Sequence, residues 1–234
     1  MRRTIIAEIG LNHNGDMSLA KCLINEAKSA GADIAKFQFF DISEYFGPDF
    51  EWYEECMAAR INFQQASELK SHCDSLDIEF MASAFNLEGV KWCMDLNVKR
   101  IKIASRCIGQ DDLIQSISES NKDIIVSLGF WEKDELPKIS TKANLDFLYC
   151  ISKYPTMPSD LDFSKIDFLS KYSGFSDHTI GVDASLIALA RGAKILEKHF
   201  TLSTTMHGPD HSGSCTPNQL KEIVDFARRC EKWT

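Results

Sequence analysis

No apolar run in the 234-residue sequence approaches the ~18–20 residues that a membrane-spanning helix needs. Past Met1-Arg2-Arg3 the chain enters Ile5-Ile6-Ala7-Glu8 directly, too short an apolar stretch for the core of a secretion signal, so a cytoplasmic protein is expected. Excess positive charge is lacking too. With 26 Lys and Arg against 34 Asp and Glu, the formal net charge is −8. Phosphate backbones attract clustered cations, so nucleic acid is not the expected partner, although a few local cations can still dominate one pocket. Paired-cysteine spacing is absent: eight cysteines are scattered with no CxxC, which suits free thiols in a reducing compartment better than a disulfide frame or a structural zinc site. Cys22, Cys73 and Cys93 fall inside helical patterns and are expected to pack the core. HExxH, EF-hand, P-loop, GxGxxG and serine-hydrolase elbow patterns do not occur. Neither does a Gly/Pro/Ser linker, a repeat or a low-complexity stretch, and residues 1–234 are expected to form one domain.

What remains is regular alternation. Short apolar runs at residues 4–10, 34–40, 78–85, 100–105, 123–129, 147–151, 173–176 and 194–200 are mostly continuous rather than alternating, as parallel strands buried on both faces require. Helical patterns lie between them at 17–30, 62–75, 87–96, 111–120, 132–139, 165–171, 183–191 and 217–230. Gly31 marks a helix stop, and Asn62 and Thr216 are N-cap candidates, the latter followed by Pro217 at the first helical position. An open doubly wound sheet fits alternation alone nearly as well. The count of eight favours an α/β fold of the TIM-type (β/α)8 kind.

In such a barrel, chemistry belongs to residues at the C-terminal strand ends. These ends deliver Glu8, Lys36, Gln38, Ser83, Lys102, Ser105, Ser127, Ser152, Tyr154, Ser176, Asp177, His178, Glu197, Lys198 and His199. Ser83, Ser105 and Ser127 recur at even intervals on consecutive strands. Taken singly, each serine could simply favour a turn. Converging with Lys36 and Lys102, they form a cradle for a phosphate or carboxylate. Both lysines stand between apolar neighbours, where an unpaired ammonium is costly and an anionic ligand would compensate it. His178 and His199 end neighbouring strands and suit a divalent metal with open positions, although a lone buried histidine is more often a hydrogen-bonded core residue.

These residues sit inside longer segments: IIAEIGLNHNGD (5–16), AGADIAKFQ (30–38), EFMASAFNLEGV (79–90), KIAS (102–105), YPTMPSDL (154–161), GFSDHTIG (174–181), GAKILEKHFTL (192–202) and GPDH (208–211). They span most of the chain and resemble the N-acetylneuraminate (sialic acid) synthase family. The resemblance implies a barrel that condenses phosphoenolpyruvate with an open-chain N-acetylamino sugar such as N-acetylmannosamine. It implies a divalent metal, manganese first and magnesium or cobalt as alternatives, held by His178 and His199, which would polarise the sugar aldehyde. Lys36, Ser83 (usually Thr), Lys102, Ser105, Ser127, Tyr154 and Ser176 match the phosphoenolpyruvate side, with Gln38 beside them. Glu8, Asp210 and Lys102 are the catalytic candidates.

Three departures concern the acceptor side. Where the family pattern has Gly and then an acid after KIxS, this chain has Arg106 and Cys107, so that acid is missing and Arg106 becomes a substrate-binding candidate. The family's C-terminal antifreeze-like domain, which supplies an arginine to the partner subunit's acceptor site, has no counterpart before Thr234. The segment 41–61 is short, and Ser152 replaces an Asn. The alternatives are therefore a synthase for a different aldose, or a barrel subunit whose partner, a second copy or a separate antifreeze-like domain, completes the site.

Overall fold

The computed structural model describes residues 2–233. Its strands are β1 (Thr4–Gly10), β2 (Ile34–Phe39), β3 (Glu79–Ala84), β4 (Arg100–Ile103), β5 (Asp123–Ser127), β6 (Leu145–Cys150), β7 (Gly174–Asp177) and β8 (Ile195–His199). Each pairs in parallel with the next, and β8 closes on β1 to complete the barrel. Around it lie α1 (Met17–Ala30), α2 (Tyr53–Ala58), α3 (Phe63–Ser75), α4 (Leu87–Asp95), α5 (Asp111–Glu119), α6 (Asp183–Ala190) and α7 (Pro217–Cys230). The expected (β/α)8 class is the class found. Among the described residues no helix is long and apolar enough to cross a membrane.

The helix signals act locally. Asn62 Oδ1 accepts from the Gln65 amide and Gln65 Oε1 accepts from the Asn62 amide, both at 2.9 Å, a reciprocal cap on α3. The Thr216 amide donates to Gln219 Oε1 at 2.9 Å at the start of α7. Gly31 ends α1 at φ +91, a left-handed conformation that glycine adopts without steric cost.

Two of the eight expected helices are not present. Residues 132–139 are irregular, because Pro137 lacks the N–H that a helix interior needs and crowds the preceding turn. Residues 165–171 carry only the end of a short 3-10 turn, Phe163–Lys165. There Asp167 Oδ1 accepts from the amides of Leu169 and Ser170, a local turn that competes with helix. Cys73 and Cys93 are buried as expected, whereas Cys22 lies on the exposed face of α1. No disulfide joins any two cysteines among the described residues.

The lumen is layered by the two-residue period of a strand. Ile6, Ile34, Met81, Ile125, Leu148 and Ile195 form an apolar floor across the barrel. Two residues further along the same six strands stand Glu8, Lys36, Ser83, Ser127, Cys150 and Glu197. Charged groups are thereby stacked on a dry base, and one period more reaches Gln38 and His199 at the mouth.

The loop after β1 ties two rims together. Asn12 Nδ2 donates to the Phe200 carbonyl and to Ser214 Oγ, both at 2.9 Å. Asn14 Nδ2 donates to the His207 carbonyl at 2.9 Å. Gly15 takes φ +79, and a Cβ there would collide with the Ala58 carbonyl oxygen. Gly15→Ala is expected to destabilise the fold by on the order of 3 kcal/mol. In a thermal melt this would appear as a midpoint lowered by roughly 6–12 °C.

Candidate active site

All thirteen candidate residues line one open cavity of about 450 Å³ above the apolar floor. Its deepest groups form a buried charge network. Lys36 Nζ lies 2.8 Å from Glu8 Oε2 and 3.5 Å from Glu197 Oε2, and donates to Ser83 Oγ at 3.0 Å. Lys102 Nζ lies 3.8 Å from Glu197 Oε1 and donates to the Ile103 carbonyl at 3.1 Å. Ser176 Oγ donates to Glu197 Oε1 at 2.9 Å, and Gln38 Nε2 donates to Glu8 Oε1 at 2.7 Å.

The two lysines are thus not bare, as their apolar neighbours in sequence suggested. Glu197 lies between them. It was visible as a strand-end residue but unassigned. Its signal was the alternation in Glu197-Lys198-His199: if His199 faces the lumen, so must Glu197, and Lys198 must face outward. Lys198 does so, 2.9 Å from Asp177 Oδ2 and donating to the Thr179 carbonyl at 2.7 Å. This outer pair braces the turn that carries His178.

The two carboxylates have opposite environments. Burial raises the Glu8 carboxyl to about 7 against the pull of Lys36. Burial also acts on Glu197, but Lys102, Lys36 and the Ser176 hydroxyl outweigh it and hold it down at about 2. Burial likewise lowers Lys102 despite Glu197. One acid in this centre is therefore a fixed anion, and the other can take up or release a proton near neutrality.

Serines finish the cradle on the β4 to β7 side. Ser105 Oγ accepts from the Gly129 amide at 2.9 Å. A Cβ at Gly129 would run into Ser152, so glycine is needed for that close approach. Ser127 Oγ is buried and has no hydrogen-bond partner, an orphan donor facing the cavity.

At the mouth the rings of His178 and His199 stand 5.6 Å apart, with Tyr154 4.1 Å from His178 and 6.0 Å from His199. Tyr154 is 63% exposed and forms part of the rim. His178 Nδ1 donates to the Ile151 carbonyl at 2.8 Å, which fixes the tautomer and leaves Nε2 with a lone pair. Cys150 Sγ is 3.8 Å from the same Nδ1. Burial lowers His178, but Cys150, the Ile151 carbonyl and Glu197 more than offset it, so its pKa lies above the usual imidazole value. Burial lowers His199 to about 4 even with Asp210 beside it. His199 is therefore a neutral imidazole at pH 7. Its Nδ1 is buried without a hydrogen-bond partner and lies 3.6 Å from Asp210 Oδ2. Among the described residues no three His, Cys, Asp or Glu side chains are grouped as a metal site; the donors at this rim are the His199 ring with its orphaned Nδ1, Asp210 beside it and His178.

Arg106 occupies the opposite rim, on the turn Ser105–Cys107 after β4. Its guanidinium carbon lies 5.0 Å from the Phe46 ring centre, 5.8 Å from Tyr45 and 5.9 Å from Phe130. The aromatic wall around it, with Phe40, Phe50 and Trp52, comes mainly from the 41–61 segment. Composition of that loop gave no sign that it would roof the cavity.

The NeuB family model matches residues 23–234 of the chain. The N,N'-diacetyllegionaminic acid synthase of Campylobacter jejuni is 32% identical over 99% of this chain and 78% of its own length. The N-acetylneuraminate-9-phosphate synthase of Mus musculus is 32% identical over 97% of the chain and 70% of its own length. Among solved structures, the N-acetylneuraminic acid synthetase of Leptospira borgpetersenii, in complex with citrate, superposes with a TM-score of 0.93 at 33% identity. That match covers 100% of this chain and 85% of the other.

Proposed function

From the premise that this chain belongs to the NeuB family, we propose that it condenses phosphoenolpyruvate with the open-chain form of an N-acetylamino sugar. The products are phosphate and a 2-keto-3-deoxy acid of the sialic or nonulosonic type. The observation that carries the reading is the arrangement of one cavity. Lys36, Lys102 and the serines at the ends of β3, β4, β5 and β7 line one side, where they would cradle an anion, and His178, His199 and Asp210 line the other, where they would hold a cation.

The lysines and serine hydroxyls hold the phosphate and carboxylate of phosphoenolpyruvate, the orphan Ser127 hydroxyl gaining its missing partner. A divalent metal, manganese in the first instance, would be held by His178 and His199 with Asp210 beside them, and when bound it supplies Lewis acidity toward the aldehyde oxygen. C3 of phosphoenolpyruvate attacks the aldehyde carbon, a carbon–carbon bond forms, and the aldehyde oxygen takes a proton from solvent to become a hydroxyl. C2 is left electron-poor and takes up water, whose proton passes to the Glu8 carboxylate. The bond between C2 and the oxygen that bridges it to phosphorus then breaks, phosphate leaves with that oxygen and takes the proton of the C2 hydroxyl, and C2 becomes the ketone. Glu197 stays an anion throughout and keeps both ammonium groups charged and in place. Positioning in the cavity and fixed charges supply most of the barrier reduction.

The Glu8 role sets a pH dependence. Below about 7 its carboxyl carries a proton and cannot accept another, whereas above that value it can. The rate is therefore expected to rise with pH through about 7. Glu8→Gln should flatten this limb and lower kcat by roughly 10²- to 10⁴-fold, the range for removal of a general base.

Phosphate release from phosphoenolpyruvate by manganese-loaded protein, measured against a panel of aldoses that includes N-acetylmannosamine, tests the assignment. Release that depends on both metal and sugar is expected. Sugar-independent release, or none with any aldose, would overturn it.

A further inference from the structure

The cavity holds three cations, and only two of them are accounted for. Lys36 and Lys102 stand at the base among Glu8 and Glu197. Arg106 stands alone at the rim. Among the described residues it makes no ion pair and no hydrogen bond, and its contacts are the faces of Tyr45, Phe46 and Phe130. Of the carboxylates lining the cavity, Glu8 has Lys36 and Glu197 has both lysines, and Asp210 stands at the opposite rim beside His199.

Aromatic faces at these distances attract the guanidinium without consuming its N–H groups, which stay free to donate in pairs. An arginine held in this way is preorganised for a carboxylate or phosphate. Its position says which part of the substrate it meets. The proposed reaction occupies the base of the cavity with phosphoenolpyruvate and places the acceptor's aldehyde at the His178, His199 and Asp210 rim. The rest of the acceptor then faces the remaining wall, which is Arg106 and the aromatic loop.

We propose that Arg106 selects an acceptor with an anionic group, a phosphate monoester or a carboxylate, on the carbon remote from the aldehyde. This deepens the proposed function and rests on it. The guanidinium, itself exposed at the rim, neutralises the incoming charge there, away from the phosphate of phosphoenolpyruvate. The acceptor is in this reading neither neutral nor small, and the enzyme that supplies it must phosphorylate or oxidise the terminal carbon of an amino sugar.

The test is steady-state kinetics on a matched series of acceptors: N-acetylmannosamine, its 6-phosphate and the corresponding 6-carboxylate. Wild type is expected to show a kcat/KM at least about 10-fold higher for one or both anionic acceptors than for the neutral one, and which arm wins identifies the anion. Arg106→Gln should lower the ratio of anionic to neutral kcat/KM by roughly 10- to 100-fold, the range for a hydrogen-bonded charge pair. The loss should lie in KM for the acceptor, with Arg106→Lys intermediate because it keeps the charge and loses the fork. Added salt should raise KM for the anionic acceptors alone. A wild type that prefers the neutral sugar, or an Arg106→Gln that lowers all three acceptors in proportion, overturns the proposal and leaves the synthase reading standing. Failure of every acceptor counts against the synthase reading itself.

Discussion

His178→Ala is expected to lower sugar-dependent phosphate release by about 10³-fold or more while leaving the barrel folded. Lewis-acid stabilisation of a developing alkoxide is worth several kcal/mol, and the proposed cation site has only two imidazoles. Loss of one leaves His199 and Asp210, too few protein ligands to hold a metal against water. The structural cost is small by comparison. The Ile151 carbonyl loses the Nδ1 donor but keeps a contact from Thr156 Oγ1 at 3.3 Å. Tyr154 loses the ring it packs on. About 1–2 kcal/mol of stability is at stake. The measurement pairs the phosphate assay with calorimetric titration of manganese into the metal-free protein. Weakened manganese binding is expected, with a melting midpoint lowered by only roughly 2–8 °C. Retained turnover in the variant would remove His178 from the chemistry.

Glu197→Ala is expected to have the largest effect on stability, about 3–5 kcal/mol at pH 7, the usual cost of taking one partner out of a buried ion pair. Lys36 keeps Glu8, but Lys102 loses its only carboxylate partner and remains in a site that already depresses its pKa by burial. The sign with pH follows from the depressed carboxyl. Its folded value of about 2 lies below the ordinary 4.5, so the contribution is complete above pH 4.5 and is lost as pH falls toward 2. Phosphoenolpyruvate should restore part of the loss, because its negative charge enters the same cradle. The ligand-induced rise in the urea midpoint should accordingly be greater for Glu197→Ala than for wild type. A variant as stable as wild type within about 0.5 kcal/mol would show that Glu197 does not hold the lysines.

The barrel was legible because eight buried parallel strands leave eight continuous apolar runs, a signal that survives without neighbours. The helices were less so. Pro137 and the Asp167 turn remove two of them through local chemistry that periodicity does not register, and the short α2 falls in a segment read only as shortened. Eleven of the thirteen site residues could be gathered because strand ends of a closed barrel converge whatever the sequence between them, and Arg106 and Asp210 came from the family resemblance. What the sequence left out was pairing. Lys36 and Lys102 were read as unmet charges, since nothing along the chain shows that Glu197, on the far side in sequence, lies between them once β8 closes on β1. Cys22 was misplaced for a related reason: a cysteine in an amphipathic helix is inside or outside according to one step of rotation. Arg106 was singled out, but its aromatic seat comes from residues on two other loops and became visible only in three dimensions.

The most direct test is to follow the label from [3-13C]phosphoenolpyruvate in a reaction with an accepted aldose. The account predicts a product three carbons longer than the sugar, in which the labelled carbon is a methylene bonded to the former aldehyde carbon. One phosphate should be released for each product formed. Labelled pyruvate and phosphate beside an unchanged sugar would instead describe a phosphatase, and would contradict carbon–carbon bond formation in this cavity.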